Sequence, residues 1–576
     1  MTKHFLQYLT EVMAHQWNDA ALTDYNEDHE YTFGELAKEM LRLQVLFEQL
    51  GIKRGDKIAL AGRNCANWAV AYLAIASYEG VCVSILQDFT AEDIAHLLEH
   101  SDSELLFVGP YVWKELQHQT MPPKIKAVIS LTDWRLLYGN DGMIASLNGD
   151  ASLNGENGER LEVNGERLKD GASAYSLEDV VDKAFKAKYP REIEPEDIHF
   201  AADPERMCLI NYTSGSTGSP KGVMLTGRSL SNNIEVGMKM LPVDPGQRLV
   251  SMLPLAHMFG QVCELLYPLC AGTHIYFLTK SPTPSILLKA MNEVQPYLVV
   301  TVPLVIEKIY KQKLDPTLSR WAIRTFWHVP GIGDFLKSRV KSGLRNAFGG
   351  KLRYFICGGA AMNPVVEKCL MDIHFPLSIG YGMTECGPLI GGNPPKYFKA
   401  RTGGVPVMNM EVKIDQPNEA GIGEILVKGE NVMLGYYKND EATKAAFTED
   451  GWLRTGDLGR LDRRKNIYIK GRCKTMFLGA SGQNIYPEEI EDKLNNQEAV
   501  GESLIVERAG KLVALVFPDE TLTKRMTPDE ILQIMKANLQ KLNSLIPSYS
   551  KVADIEVQEK PFEKTPKRSI KRFLYK

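Results

Sequence analysis

The chain has 576 residues, 44% of them hydrophobic, which is enough to bury large cores and implies more than one domain. Its 67 Lys and Arg against 71 Asp and Glu leave a net charge of −4, which excludes the broadly basic surface that nucleic-acid binding requires. The nine cysteines are scattered without a Cys-x-x-Cys pair, so they suggest no zinc site and fit a reducing compartment.

The stretch from Met1 to Trp17 is amphipathic and lacks the apolar core and cleavage site of a signal peptide. The longest apolar run, 297–306, is far shorter than the roughly 18 to 20 residues that span a bilayer. A cytoplasmic protein is therefore expected, with the inner membrane surface as the alternative location. Residues 1–110 alternate between two patterns. Tyr31-Thr32-Phe33-Gly34-Glu35-Leu36 is predicted to open a helix that runs through Leu50 with Gly51 ending it, then a strand at 57–61, a helix at 68–78 and a strand at 81–86. That alternation predicts βαβ units and a mainly parallel sheet. Residues 145–171 differ: Ser146-Leu147-Asn148-Gly149 recurs at 152–155, and Asn157-Gly158-Glu159-Arg160-Leu161 recurs at 164–168. Repeated Asn-Gly pairs predict a polar insertion, a surface loop or a small hairpin, with no chemistry in it.

An apolar strand at 208–210 leads into Tyr212-Thr213-Ser214-Gly215-Ser216-Thr217-Gly218-Ser219-Pro220-Lys221-Gly222, with another short strand at 223–225 and a helix from about Ser229. On composition alone such a run is a flexible loop. Its glycines would also let backbone N–H groups approach an anion, with hydroxyl donors and the Lys221 charge around it. It is not a Walker A loop, because no Ser or Thr follows the Gly-Lys order. The ordered string resembles the signature loop of the AMP-forming adenylate synthetases, a superfamily of acyl-CoA synthetases, luciferases and peptide-synthetase adenylation domains. The alternating elements of residues 1–110 also resemble the N-terminal half of acyl-CoA synthetases.

The remaining motifs are read against that resemblance. Leu253-Pro254-Leu255-Ala256-His257-Met258-Phe259-Gly260 resembles the motif bordering the carboxylate pocket, which implies that His257 and, later, Gly380 line the acyl site. Without the resemblance His257 is a core histidine. Residues 301–310 resemble a phrase of synthetases acting on long-chain fatty acids. The stretch 315–350 after it carries Trp321, Phe326, Trp327 and Phe335 among basic residues; it reads as an amphipathic surface helix pair, or as contact with a membrane or acyl chain. A strand at 352–356 leads to Gly358-Gly359-Ala360-Ala361, small enough for a flat base to lie on the backbone. Ile379-Gly380-Tyr381-Gly382-Met383-Thr384-Glu385 resembles the adenine and magnesium motif. The resemblance implies a nucleoside site of Gly359, Ala360, Ala361, Tyr381, Gly382, Met383 and Thr384, with Tyr381 stacking on adenine. It also implies that Glu385 holds Mg²⁺ with the Thr213 hydroxyl, an oxygen donor set that suits a hard cation. Phosphates would lie on Thr213, Ser214, Gly215, Ser216, Thr217, Gly218 and Lys221, with Lys221, Glu385 and Thr213 as the catalytic group.

Residues 423–429 and 435–437 read as strands and turns of a small β unit. Asp457, in Trp452-Leu453-Arg454-Thr455-Gly456-Asp457, and Arg472, in Gly471-Arg472-Cys473-Lys474, match the ribose-binding positions, and Lys474 matches the domain hinge. The resemblance thus implies an α/β fold: a large N-terminal domain (1–472) of doubly wound α/β subdomains with a small β-barrel unit, and a small mobile α+β C-terminal domain (473–576). Near the end, Thr565-Pro566 and Ile570-Lys571-Arg572 place Ser569 where the resembled pattern has a lysine, leaving Lys567 or Lys571 as its substitute. This basic tail also reads as solvated or membrane-attracted surface. The activity implied is that of bacterial long-chain fatty acid–CoA ligases: a carboxylate and ATP give acyl-AMP and pyrophosphate, then coenzyme A gives the thioester and AMP. The partners implied are a fatty acid, ATP, coenzyme A and Mg²⁺, with peripheral membrane contact and a homodimer left open. Rival readings are an acyl ligase serving a carrier protein, an aryl-acid ligase, and a non-catalytic acyl- or nucleotide-binding protein.

Overall fold

The computed structural model describes residues 3–140, 177–200, 202–213, 220–280, 283–318, 321–478, 484–508, 510–565 and 570–575. The 145–171 insertion, loop residues 214–219, and Lys567 and Ser569 lie outside them.

Local chemistry sets the first elements. Thr32 Oγ1 accepts from the Glu35 N–H at 3.2 Å while the Glu35 carboxylate accepts from the Thr32 N–H at 2.8 Å. This reciprocal cap starts the helix Phe33–Gln49, and Gly51, at φ +63°, turns the chain out of it. The helix Ala66–Ser77 is buried almost all round, with Trp68 stacked on Tyr72 at 5.7 Å. A helix with no polar face must be covered on every side, and this one touches strands of both large sheets.

The first sheet has eight strands in the order Gly435–Tyr436, Lys221–Thr226, Met207–Thr213, Val81–Ile85, Lys57–Ala61, Ser103–Val108, Ala127–Ser130, Leu136–Gly139. The five from Met207–Thr213 to Ala127–Ser130 run parallel. The second has seven, in the order Leu377–Ile379, Tyr354–Cys357, Leu298–Thr301, Arg248–Ser251, His274–Phe277, Ala20–Asp24, Glu30–Thr32, all parallel but the last. Parallel strands covered on both faces explain the continuous apolar runs. A four-stranded antiparallel sheet (Met410–Asp415, Gly423–Gly429, Leu453–Leu461, Ile467–Arg472) and a three-stranded one (Tyr381–Gly382, Leu389–Gly392, Val405–Pro406) form the β unit. Reciprocal backbone hydrogen bonds join them, Gly403 N–H to the Ile467 carbonyl and Ile467 N–H to that of Gly404. After Arg472 a separate core forms around Ile490, Leu494, Ala514, Met535 and Leu542, with strands Val500–Arg508, Lys511–Pro518 and Val552–Val557 packed on helices Pro487–Asn495 and Pro528–Leu545.

The structure corrects the assignment of residues 435–437 to the β unit. Gly435–Tyr436 instead forms the edge strand of the eight-stranded sheet, with Tyr436 opposite Val223 and Tyr437 N–H on the Gly222 carbonyl. Asp102 holds this edge, accepting from Tyr437 Oη at 2.9 Å and pairing with Lys438 at 2.6 Å. Smaller shifts concern ends. The helix expected near Ser229 starts at Gly227, because Thr226 caps it by accepting from Ser229 N–H. The strand expected at 352–356 is Tyr354–Cys357.

Candidate active site

Four of the motifs leave the carboxyl ends of neighbouring parallel strands in the seven-stranded sheet. Ser251 leads to 252–257, Thr301 to 302–303, Cys357 to 358–361 and Ile379 to 380–385. In open α/β sheets this end is where ligands bind. The eight-stranded sheet contributes the carboxyl end of Met207–Thr213, and buried asparagines tie the two sheets there. Asn211 Nδ2 donates to the Ala256 carbonyl at 2.8 Å, next to His257. Asn64, just past Lys57–Ala61, donates to the Leu253 carbonyl at 2.6 Å and accepts from Leu255 N–H at 2.9 Å.

Thr213 and Lys221 face each other as the last register pair of the antiparallel strands on either side of residues 214–219. The ammonium of Lys221 lies 4.9 Å from the centre of the Tyr436 ring, and Tyr436 Oη donates to Glu385 Oε1 at 2.9 Å. One tyrosine therefore joins the lysine and the carboxylate expected from the sequence. Burial pushes the Tyr436 hydroxyl far up, so it remains a donor. Among the described residues no three His, Cys, Asp or Glu side chains cluster as a metal cage. Glu385 and Thr213 carry oxygen donors, the ligand type that suits a hard cation.

A second cluster sits beside this one. Tyr381 Oη donates to Asp457 Oδ2 at 2.7 Å, and Arg472 Nε pairs with Asp457 Oδ1 at 2.8 Å across the register pair Asp457↔Arg472. Asp457 is 5% exposed. Burial pushes its carboxyl up, Arg472 and the Tyr381 hydroxyl pull it down, and the charge of Glu385 adds to the rise. The two clusters thus feel each other. Tyr381 itself is buried, and the contact it makes fixes Asp457.

Gly359, Ala360 and Ala361 form an exposed strap, with Gly359 at φ +86°. The Phe259 ring lies against Gly358, where a Cβ would come within 3.0 Å of it. His257 caps the turn before Phe259, its Nδ1 accepting from Phe259 N–H at 3.3 Å. His257 and the strap therefore share one wall. Gly380 donates its N–H to the Cys357 carbonyl, and Gly382 has no room for a Cβ, which would fall 2.1 Å from the Pro388 carbonyl oxygen. Met383 is half-buried and Thr384 buried at the start of the turn that presents Glu385.

Sequence reasoning missed Asn64, Asn211, Tyr436 and Glu264. Glu264 is fully buried on the irregular turn Gln261–Leu266, and its Oε2 accepts from Ser251 Oγ and from the N–H groups of Met252 and Leu253 at 2.9–3.0 Å. Its Oε1 has no partner among the described residues. Burial pushes this carboxyl up to about 8, against the pull of those three donors, so it is a neutral acid near neutral pH.

Lys474 is exposed in the turn after Ile467–Arg472, and Thr475 Oγ1 donates to Glu488 at 2.6 Å. The C-terminal helix Pro487–Asn495 meets the larger domain through Lys470–Glu489 at 2.9 Å and Arg401–Asp492 at 3.3 Å. Lys571 pairs with Glu563 at 3.6 Å within the smaller domain.

Comparison with known proteins agrees with this architecture. Residues 9–437 match the family described as AMP-binding enzyme, and residues 475–575 match the AMP-binding enzyme C-terminal domain. The Gallus gallus long-chain-fatty-acid–CoA ligase ACSBG2 is 25% identical over 82% of this chain, which spans 61% of that relative's length. Long chain acyl-CoA synthetase 1 of Arabidopsis thaliana is 25% identical over 86% of the chain and 75% of its own. Among solved structures, the anthranilate CoA ligase AuaEII in complex with anthranoyl-AMP superposes with a TM-score of 0.74 at 18% identity, covering 100% of this chain and 96% of that one. Among the described residues no helix is long and apolar enough to cross a membrane.

Proposed function

The chain belongs to the AMP-binding enzyme family, and from that premise we propose that it is an ATP-dependent, AMP-forming fatty acid–CoA ligase. The names of its curated relatives support the substrate class. The observation that carries the reading is Tyr436 joining Lys221 to Glu385, with the Asp457–Arg472 pair alongside.

In the first step a carboxylate oxygen attacks the α-phosphorus of ATP, the bond to the bridging oxygen breaks, and pyrophosphate leaves. No proton need move, so catalysis is positioning and charge neutralisation. Lys221 and the donors of 213–218 hold phosphate oxygens. Asp457 accepts from the ribose hydroxyls, Arg472 steadies it, and the base lies between the 359–361 strap and the 381–384 turn. His257 and Gly380 border the carboxylate. Mg²⁺ would be held by Glu385 and Thr213, where it supplies charge neutralisation for the phosphates. In the second step the coenzyme A thiol attacks the acyl carbonyl, the bond to AMP breaks, and the thiol proton passes to solvent. Rotation of the domain 473–576 about Lys474 separates the two steps, with Lys567 or Lys571 serving the first. The setting we propose is cytoplasmic.

Pyrophosphate release with Mg-ATP and fatty acids of increasing length, with and without coenzyme A, tests this. Release that needs a fatty acid and rises with coenzyme A is expected. Release only with aryl acids, or transfer only to a carrier protein, would replace the substrate assignment.

A further inference from the structure

The helical segment 321–353 combines two surface features. Its sequence carries seven Lys and Arg against one acid, Asp334, a net charge of +6 in a chain whose total is −4. It also exposes Trp321 (78%), Phe335 (62%), Ile332, Phe326 and Val329, five of the sixteen large apolar side chains that stand exposed among the described residues. Scattered exposed apolar residues need no explanation, but a basic patch crowded with them does.

The segment's inner side is anchored. Leu344 and Phe348 are buried in the core beneath the seven-stranded sheet, and Trp327 and Val340 pack against it. Gly333 lies so close to the Trp327 carbonyl that a Cβ would fall 2.3 Å from its oxygen, which holds the turn between the helices Trp321–Phe326 and Ile332–Ala347. The outward side is therefore presented by a fixed frame. Arg339 lies 6.0 Å from the Phe335 ring, and Lys337 5.8 Å from Trp327. Among the described residues no carboxylate pairs with Lys337, Arg339 or Lys341 within 4.0 Å, while Asp334 is used to cap its own helix.

Exposed aromatic rings interleaved with cations suit one kind of surface, an interface with apolar chains below anionic head groups. The rings enter the boundary layer and the cations stay at the phosphates. Upstream, before the helical turns Tyr310–Leu314 and Asp315–Leu318, the helix Pro303–Ile309 starts beside the strap, because Gly358 N–H donates to the Thr301 carbonyl and Val302 faces Gly359. The segment that would meet the bilayer thus lies a short way along the chain from the site. We propose that 321–353 docks this protein peripherally on an anionic lipid bilayer through Trp321, Phe335 and their basic neighbours.

The test is co-sedimentation of the full chain, without ATP or fatty acid, with phosphatidylcholine vesicles and with vesicles also containing phosphatidylglycerol. Because no turnover is read, failure of the ligase assignment would leave this result intact. Pelleting with the anionic vesicles that weakens with salt is expected. The Trp321→Ser/Phe335→Ser variant should lower the partition coefficient by about tenfold or more. Lys337→Glu/Arg339→Glu should abolish the preference for anionic lipid, at roughly fivefold per cation removed. Thermal melting and adenylation of a water-soluble short acid, unchanged in both variants, would show that each folds. The inference is overturned if the wild type stays in the supernatant, or if both variants pellet as it does. It is also overturned if pelleting depends on Lys571 and Arg572 of the tail instead, or if sedimentation velocity shows a dimer that Trp321→Ser/Phe335→Ser dissociates.

Discussion

Asp457 and Glu264 are both buried carboxyl groups near the same end of the two sheets, and the fold treats them in opposite ways. Asp457 keeps a cation, Arg472, whose side chain is 57% exposed at the rim. Glu264 has none; two backbone N–H groups and a hydroxyl meet one oxygen, and the other has no partner among the described residues. A buried charge without a counter-ion neutralises itself by shifting its pKa. The Asp457 cluster therefore keeps a cation where a polar ligand can reach it, whereas the stretch bearing His257 and Phe259 is pinned by a group that carries no charge near neutral pH. Four predictions test the contrast.

The largest effect is expected from Asp457→Ala. It strands Arg472 and the Tyr381 hydroxyl and removes the acceptor proposed for the ribose. Removing one partner of a buried pair costs about 3–5 kcal/mol, and the exposure of Arg472 places this case at or below the lower limit. A fall of roughly a hundredfold in kcat/KM for ATP is expected, with kcat/KM for the acid at saturating ATP changed less. An equal loss for both substrates would mean that Asp457 only supports the fold.

Glu264→Leu should act on stability instead. It leaves the N–H groups of Met252 and Leu253 and the Ser251 hydroxyl without their acceptor, at about 1 kcal/mol or more for each. Denaturant unfolding would read this, with KM for ATP little altered. Glu264→Gln retains the acceptor and yields a third result, in the pH dependence. The folded value of about 8 lies above the ordinary 4.5, so this group's contribution is complete below 4.5 and is lost as pH rises toward 8. The wild type should therefore lose stability relative to Glu264→Gln at about 1.4 kcal/mol per pH unit within that window. Parallel melting curves for the two proteins would show that Glu264 is ionised when folded, and the contrast with Asp457 would fail.

How much of this was legible beforehand depended on whether a signal was local. The strands at 57–61 and 81–86 and the helix that Gly51 closes follow from apolar spacing and a terminal glycine, and they stand within a residue or two of where the pattern puts them. Thr213 and Lys221 flank one short loop, so a hairpin was enough to bring them together. Glu264 was not legible, because the turn Gln261–Leu266 departs from the 3.6-residue period that marks buried faces. Asn211 was hidden inside an apolar run. Gly435–Tyr436 was misread because its partner strand, Lys221–Thr226, lies far away in sequence and a two-residue strand carries no alternation to read.

That misreading leads to the smallest predicted effect. Tyr436→Phe keeps the ring beside Lys221 and removes only the hydroxyl that donates to Glu385. Losing one hydrogen bond to a charged group costs about 1.5 kcal/mol, or roughly tenfold, and partial solvent access to Glu385 lowers it toward fivefold. If Tyr436 orients the carboxylate for the phosphates, the loss should appear in kcat for pyrophosphate release and shrink as Mg²⁺ is raised. Tyr436→Leu should lose more, because Lys221 then also loses the ring face that holds its ammonium. Equal activity of the Phe and Leu variants would assign the tyrosine to sheet packing alone. The Lys221–Glu385 cluster would then resemble the Glu264 region, fixed by the backbone, rather than the Asp457 cluster, fixed by side chains.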